Sequence, residues 1–264
     1  DVLFAKAESR QVNAAHVVRS GLNQKDFNDA LYLLQSAKNP IVLVGGGGWT
    51  IKACEALEQW LSKVNVPAAT AFRFQDLIDA DHDCFAGDLG IAPNPKLAQR
   101  IKDADVVLVI GARLGEMTTS GYSLFEVPVA KQKLIHVHMG AEELGSVYRP
   151  EVAINSSYED FCEALNAREI KLNLQISAQG KSAHQEYLEF NKPLQSNLVV
   201  NMSEIVSRLN DFLPGDAIIT NGAGNFAGWV HRFYRYGGLS KFGRTQLAPT
   251  NGAMGYGLPA AIAA

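Results

Sequence analysis

The run Asn39-Pro40-Ile41-Val42-Leu43-Val44-Gly45-Gly46-Gly47-Gly48 constrains this chain more than any other. Four aliphatic residues between a proline and four glycines make a strand with no polar face, and such a strand must be covered on both sides, as in a parallel sheet. The glycines permit positive φ and close backbone approach. From about Trp49 the residues Cys54, Leu57, Leu61 and Val64 fall on one helical stripe. Strand, glycine turn and helix open a doubly wound α/β domain, whose ligand crevice lies at the carboxyl ends of the strands. The glycines do not spell G-x-G-x-x-G, so by themselves they specify no ligand.

The same grammar recurs along the chain. Residues 1–22 are aperiodic and read as an N-terminal connection. Asn23 caps a helix carrying Phe27, Ala30, Leu31 and Leu34, and 66–70 is a second strand. Residues 72–95 read as loop-rich, with Asp79, Asp81, His82 and Asp83 set either as a solvated turn or as metal ligands. Leu97, Ile101 and Ala104 mark a helix, and 105–113 is a second fully apolar strand ending in Gly111-Ala112-Arg113. At that strand end Arg113 either pairs with a nucleotide phosphate or caps a surface turn. Leu134–Met139 is a strand with His136 and His138 on one face, Val152–Ile154 another, and Ser157 with Asp160 opens a helix by a capping box. Five strands from 23 to 167 account for one open α/β domain. Residues 168–197 read as a linker holding a short helix, broken at Gln179–Ser182. From 198 a second unit begins: a helix through Ile205, Val206, Leu209 and Phe212, a strand 217–220, a glycine turn and a helix from about Trp229. A helix start preceded by glycines favours anions.

Composition narrows the class of function. A net charge of -3 without long runs of one sign leaves no footprint for nucleic acid or an acidic membrane, and no apolar run reaches a spanning length. Three scattered cysteines, Cys54, Cys84 and Cys162, suit a reducing cytoplasm better than a disulfide framework or a zinc site. Small-molecule chemistry is left. The chain starts at Asp1 and stops inside an apparent helix at Ala264, so a fragment is expected.

The run Thr220–Phe226, then Trp229, and above all Gln246–Ile262 with its Gly-Ala-Met-Gly-Tyr-Gly-Leu-Pro-Ala-Ala core, resembles the start of the diphosphate-binding domain of thiamine-diphosphate enzymes. The acetolactate synthase branch is the most similar. Pro40–Gly48, Gly87-Asp88-Leu89-Gly90, Ala104–Arg113 and Ile135–Leu144 resemble the central domain of that family. The resemblance implies an α/β architecture in two pieces: a Rossmann-like central domain at 23–167 and an incomplete second α/β domain at 198–264. It also implies thiamine diphosphate with Mg2+, a 2-oxo acid substrate, and a parent dimer or tetramer. Such a cofactor supplies decarboxylation of the 2-oxo acid and transfer of the remaining fragment to an acceptor.

Carried over by motif, Gly224, Asn225 and Phe226 match positions that touch the diphosphate. Gly252, Ala253 and Met254 match the segment meeting the pyrimidine, with Met254 as the apolar wedge under the bent cofactor. Gly46, Gly47, Gly111 and Arg113 match a possible FAD or ADP crevice. Family members that hold such a nucleotide commonly carry two carboxylates at the end of the strand that corresponds to Leu134–Met139, where this chain reads His136-Val137-His138-Met139-Gly140, and that loss argues against a nucleotide. The family's activating glutamate and its metal-binding motif have no match in this sequence, so an inactive chain with weak cofactor affinity is expected. Three alternatives stay open: a decarboxylase of the same family, a nucleotide-binding module, and a purely structural assembly module.

Overall fold

The computed structural model describes residues 18–169 and 178–264, together with residues 5, 6 and 8. The first helix, α1 (Gln24–Ser36), starts where Asn23 Oδ1 accepts from the amides of Lys25 and Asp26, and it buries Phe27, Ala30, Leu33 and Leu34. Strand β1 (Pro40–Val44) is buried at every residue. Helix α2 (Ile51–Val64) begins at a Thr50 cap and ends on a left-handed Asn65. There follow β2 (Ala68–Ala71), a 3-10 turn (Gln75–Leu77), β3 (Phe85–Leu89), α3 (Pro95–Asp103), β4 (Val106–Ile110), β5 (Lys133–His138), a second 3-10 turn (Ala141–Glu143), β6 (Val152–Asn155) and α4 (Tyr158–Asn166). After the gap come α5 (Gln179–Phe190), α6 (Met202–Phe212), β7 (Ile219–Thr220), α7 (Ala227–Phe233), α8 (Leu239–Phe242), β8 (Gln246–Leu247) and α9 (Gly257–Ala263).

The six strands β1 to β6 form one all-parallel sheet in the order β3-β2-β1-β4-β5-β6. Alternate residues of β1 and β4 explain why the strands are apolar throughout. Val42, Val44, Leu108 and Ile110 enter the core beneath α1, α2 and α4, packed with Phe27, Trp60 and Phe161. Ile41, Leu43, Val107 and Val109 enter the opposite core with Leu97, Ile101 and Tyr148. Each such aliphatic side chain contributes roughly 1.5–3 kcal/mol of transfer free energy, so the central strand pair anchors the fold. The second sheet is small: β7 and β8 pair in parallel over a cluster of Val206, Phe233, Tyr234 and Tyr236.

Four expectations change. The sheet has six strands rather than five, because the stretch read as loop contains β3. Its sequence, Phe-Ala-Gly-Asp-Leu, has no aliphatic run to announce it, and its shielding comes from α5: Tyr187 packs edge-on to Phe85 with ring centroids 4.8 Å apart, and the His184 Nδ1 lies 2.9 Å from the Phe85 carbonyl oxygen. The expected break at Gln179–Ser182 is the first turn of that same helix. Gly180 is there for proximity, since an added Cβ would lie 2.4 Å from Asn65 Oδ1 and 2.8 Å from Cys84 Sγ. Residues 170–177 of the expected linker lie outside the described residues. The strand at 217–220 is confined to β7, and the following helix starts at Ala227.

Candidate functional site

Sheet order reverses between β1 and β4, and their in-register pairing, Val44 with Ile110, sets the two glycine turns side by side. This is where a doubly wound sheet opens a crevice. A cavity of about 710 Å³ lies there, and Gly46, Gly47, Gly111 and Arg113 all line it, with His138, Met139 and Asn251. The structure therefore brings the central-domain candidates together.

The glycines nevertheless have protein neighbours that account for them. A Cβ on Gly46 would stand 2.1 Å from the Gly111 carbonyl oxygen, and one on Gly111 would stand 2.5 Å from that of Gly45. Both have a φ of 74°. Gly48 backs onto Met139, whose sulfur would be 2.8 Å from an added Cβ, while Gly47 faces open space. The charges are also accounted for. Arg113 Nε pairs with Glu143 at 2.8 Å, and Glu116 and Glu142 line the same cavity. At the start of α2, Thr50 Oγ1 donates to Glu159 Oε2 at 2.9 Å, so a carboxylate already faces the helix end that a phosphate would use. His136 is buried beside the Ala112 carbonyl oxygen at 3.1 Å, and burial lowers its pKa to about 4; His138 Nδ1 accepts from the Gly140 amide at 3.0 Å. Tested on these residues, an adenine diphosphate fits poorly: the turns are packed against each other and the rim is acidic.

The second group of candidates lies at the ends of β7 and β8. Their parallel pairing, Thr220 with Leu247, puts the 221–226 turn beside the 249–256 segment, and the Asn221 amide donates to the Leu247 carbonyl at 3.1 Å. Glycine is required where they touch, because a Cβ on Gly257 would lie 2.8 Å from the Gly222 nitrogen. Beyond this contact the candidates diverge. Gly224 and Asn225 line a cavity of about 460 Å³ facing β3 and α5, whereas Ala253 and Met254 line another of about 590 Å³ with Leu247, Tyr256, Pro259 and Ala260. Phe226 is 60% exposed and Met254 88% exposed, and Gly252 takes a φ of 75° in the turn that presents Met254. Against thiamine diphosphate the fit is partial: the wall at Met254 is apolar, as a thiazolium wedge requires, but it carries no Asp or Glu side chain for a metal.

One arrangement escaped the sequence. Asp76 is fully buried and accepts from Arg244 Nη1 at 2.8 Å and from the amides of Thr245 and Gln246 at 3.0 and 3.1 Å. Next to it, Gln75 and Gln246 exchange bonds at 2.8 and 2.9 Å, and Gln75 Nε2 donates to the His231 carbonyl at 2.7 Å. This clamp sets β8, and through it the Met254 turn, against the end of β2. Asp79, Asp81, Asp83 and His82 go instead to separate partners, Lys241, Arg235, Lys181 and Ser62, and among the described residues no group of three or more candidate ligands gathers for a metal. Nor is any helix among them long and apolar enough to cross a membrane.

Comparison with known proteins agrees with this architecture. The family model for the thiamine pyrophosphate enzyme central domain matches residues 27–165, more than half of the chain. Acetolactate synthase 3 of Brassica napus is 23% identical over 88% of this chain and 35% of its own length. Acetolactate synthase 2 of Nicotiana tabacum is 24% identical over 92% of this chain and 36% of its own. A 3D-(3,5/4)-trihydroxycyclohexane-1,2-dione hydrolase of Clostridium perfringens is 26% identical over 80% of this chain and 37% of its own. The chain thus spans little more than a third of the length of these relatives. With its switch-point sheet and the matched residues together, the chain belongs to the thiamine pyrophosphate enzyme family, whose central domain it contains.

Proposed function

We propose that the chain is the central domain, residues 23–167, and the leading part of the diphosphate-binding domain, residues 198–264, of an acetolactate synthase-like enzyme acting on 2-oxo acids with thiamine diphosphate and Mg2+. The observation that carries this reading is the juxtaposition of the two C-terminal turns. Parallel pairing of β7 with β8 and the Gly222–Gly257 approach hold the Gly224-Asn225-Phe226 turn and the Gly252-Ala253-Met254 turn on one end of the same small sheet. The relatives support it too, since their alignments run well past the matched central domain. In this reading Gly224, Asn225 and Phe226 approach the diphosphate, and Met254 is the bulky apolar support beneath the ring system.

The described residues offer that cofactor an apolar wall and no cluster of three or more metal-ligating side chains, so the chain by itself is inactive and binds it weakly. Calorimetry with Mg2+ and thiamine diphosphate tests this: no saturable heat is expected in the micromolar range, and a micromolar dissociation constant contradicts it. For an enzyme containing the chain, incubation with pyruvate alone distinguishes carboligation from decarboxylation; acetolactate supports the reading and acetaldehyde favours the decarboxylase.

The central domain takes a structural role here. Gly46, Gly48 and Gly111 are backed by protein and its one crevice arginine is paired with Glu143, so FAD and ADP leave its thermal unfolding temperature unchanged. Exposed Leu198, Val199, Leu258 and Ile262 give the chain apolar surface on which it associates with a second copy, to be read by sedimentation.

A further inference from the structure

The cavity of about 460 Å³ enclosed by the end of β2, strand β3 and helices α5 and α7 is distinct from the switch-point crevice and from the Met254 wall. Its volume lies in the range of small-ligand sites. Two polar groups in it lack partners. Arg73 is 5% exposed and His231 6% exposed, and Arg73 Nε and His231 Nε2 are both buried with no hydrogen-bond partner. Arg73 also has a left-handed backbone, with φ 63°, stacks on Phe72 at 4.6 Å and uses one Nη1 hydrogen on the Pro249 carbonyl. No carboxylate among the described residues forms an ion pair with it. A buried guanidinium without a counter-charge is costly, and a buried donor without an acceptor costs as well.

The other cavity groups are committed or neutral. Arg232 donates from Nε and Nη2 to the Phe190 carbonyl at 3.1 and 2.8 Å and lies 3.8 Å over the Phe190 ring. Burial, with the Arg73 charge adding to it, lowers the His231 pKa to about 4, so the ring is neutral at ordinary pH. Asp88 accepts a long 3.3 Å bond from Gln75, and burial pushes its pKa up to about 7. Tyr187 stays protonated. One free cationic donor and one imidazole nitrogen, surrounded by Trp229, Phe190 and Leu194, match a single anionic group on an apolar body.

We propose that this cavity binds a small organic monocarboxylate with an apolar or aromatic body, its carboxylate bridging Arg73 Nε and His231 while the body lies against Trp229 and Phe190. The inference does not rest on the thiamine-diphosphate reading and survives its failure. Protonation of Asp88 removes the one carboxylate facing the ligand, so binding strengthens as pH falls through 7; Arg73, Arg232, His231 and Tyr187 hold their charge state over that interval.

The test is titration of the 264-residue chain with sodium benzoate at pH 6 and pH 8, read by the fluorescence of Trp229, since Trp49 and Trp60 are buried elsewhere. Saturation below about a millimolar at pH 6 is expected, weaker at pH 8, with Arg73→Met losing roughly tenfold or more, as for a hydrogen bond to a charged group. Because Arg73→Met also frees the Pro249 carbonyl, Asp88→Asn is the second variant. It tightens benzoate binding at pH 8 and flattens the pH dependence, a gain that misfolding does not produce. No saturation at pH 6, no gain from Asp88→Asn, or displacement of benzoate by inorganic diphosphate with Mg2+ at lower concentration each overturns the proposal.

Discussion

Single residues carry sharply different loads in neighbouring positions. Gly46 needs both a positive φ and the space that a Cβ would take from the Gly111 carbonyl, whereas Gly47 needs neither. Gly46→Ala is therefore expected to cost roughly 2–4 kcal/mol in urea unfolding, and Gly47→Ala less than about 0.5 kcal/mol. Equal effects would place the constraint on a ligand or on the run as a whole. The three cysteines make a second residue-scale prediction. All are buried, and burial raises each thiol, that of Cys84 to about 12, so Ellman's reagent leaves the native chain unreacted at pH 8 and finds all three thiols in urea. What could be read from sequence at this scale was local. Asn23 and Ser157 cap their helices as expected, because the partner amides lie two or three residues on. The reason for the glycines at 45–48 was not legible, since the atom that excludes a side chain at Gly46 belongs to the turn after β4.

At the scale of elements, sequence pattern recovered what is buried on both faces and missed what is buried by a neighbour. The aliphatic runs of β1 and β4 announced themselves, as did the stripe of α4, Tyr158, Phe161, Cys162 and Leu165, all of which are buried. Strand β3 did not, because its cover is α5, whose first turn contains a glycine that reads as a break until Asn65 and Cys84 are seen against it. The Asp76 clamp was hidden for the same reason: its three donors come from a segment distant in sequence. Asp76→Ala leaves those donors without an acceptor and is expected to cost roughly 3–5 kcal/mol, as for other broken buried pairs. Hydrogen exchange should show the loss in residues 214–250 with β1 and β4 still protected; uniform loss across both sheets would show that the two units unfold as one.

For the molecule as a whole, the doubly wound α/β class and the family were readable, while the order of the six strands and the allocation of the C-terminal candidates between cavities were not, the latter because it depends on how two turns splay beyond the Gly222–Gly257 contact. Stability should respond to pH through the buried titratable groups. His136 and His231 have folded pKa values near 4, so between pH 6.5 and 4 the unfolded chain binds two more protons at these sites, while Asp88, raised to about 7, binds one more in the folded chain. The net is one proton favouring unfolding, so stability falls by about 1 kcal/mol per pH unit on acidification through that window. Urea midpoints at pH 6.5 and 5 check the sign, and His231→Gln should flatten the slope. The central claim, that the turn at Met254 supports a bent thiamine diphosphate, is tested most directly by Met254→Ala in an enzyme containing this chain. Because the side chain is 88% exposed here, the substitution should leave the stability of the chain itself within about 0.5 kcal/mol. Turnover should fall by roughly a hundredfold, the scale expected when a reacting group loses its positioning; turnover within twofold of the parent would contradict the account.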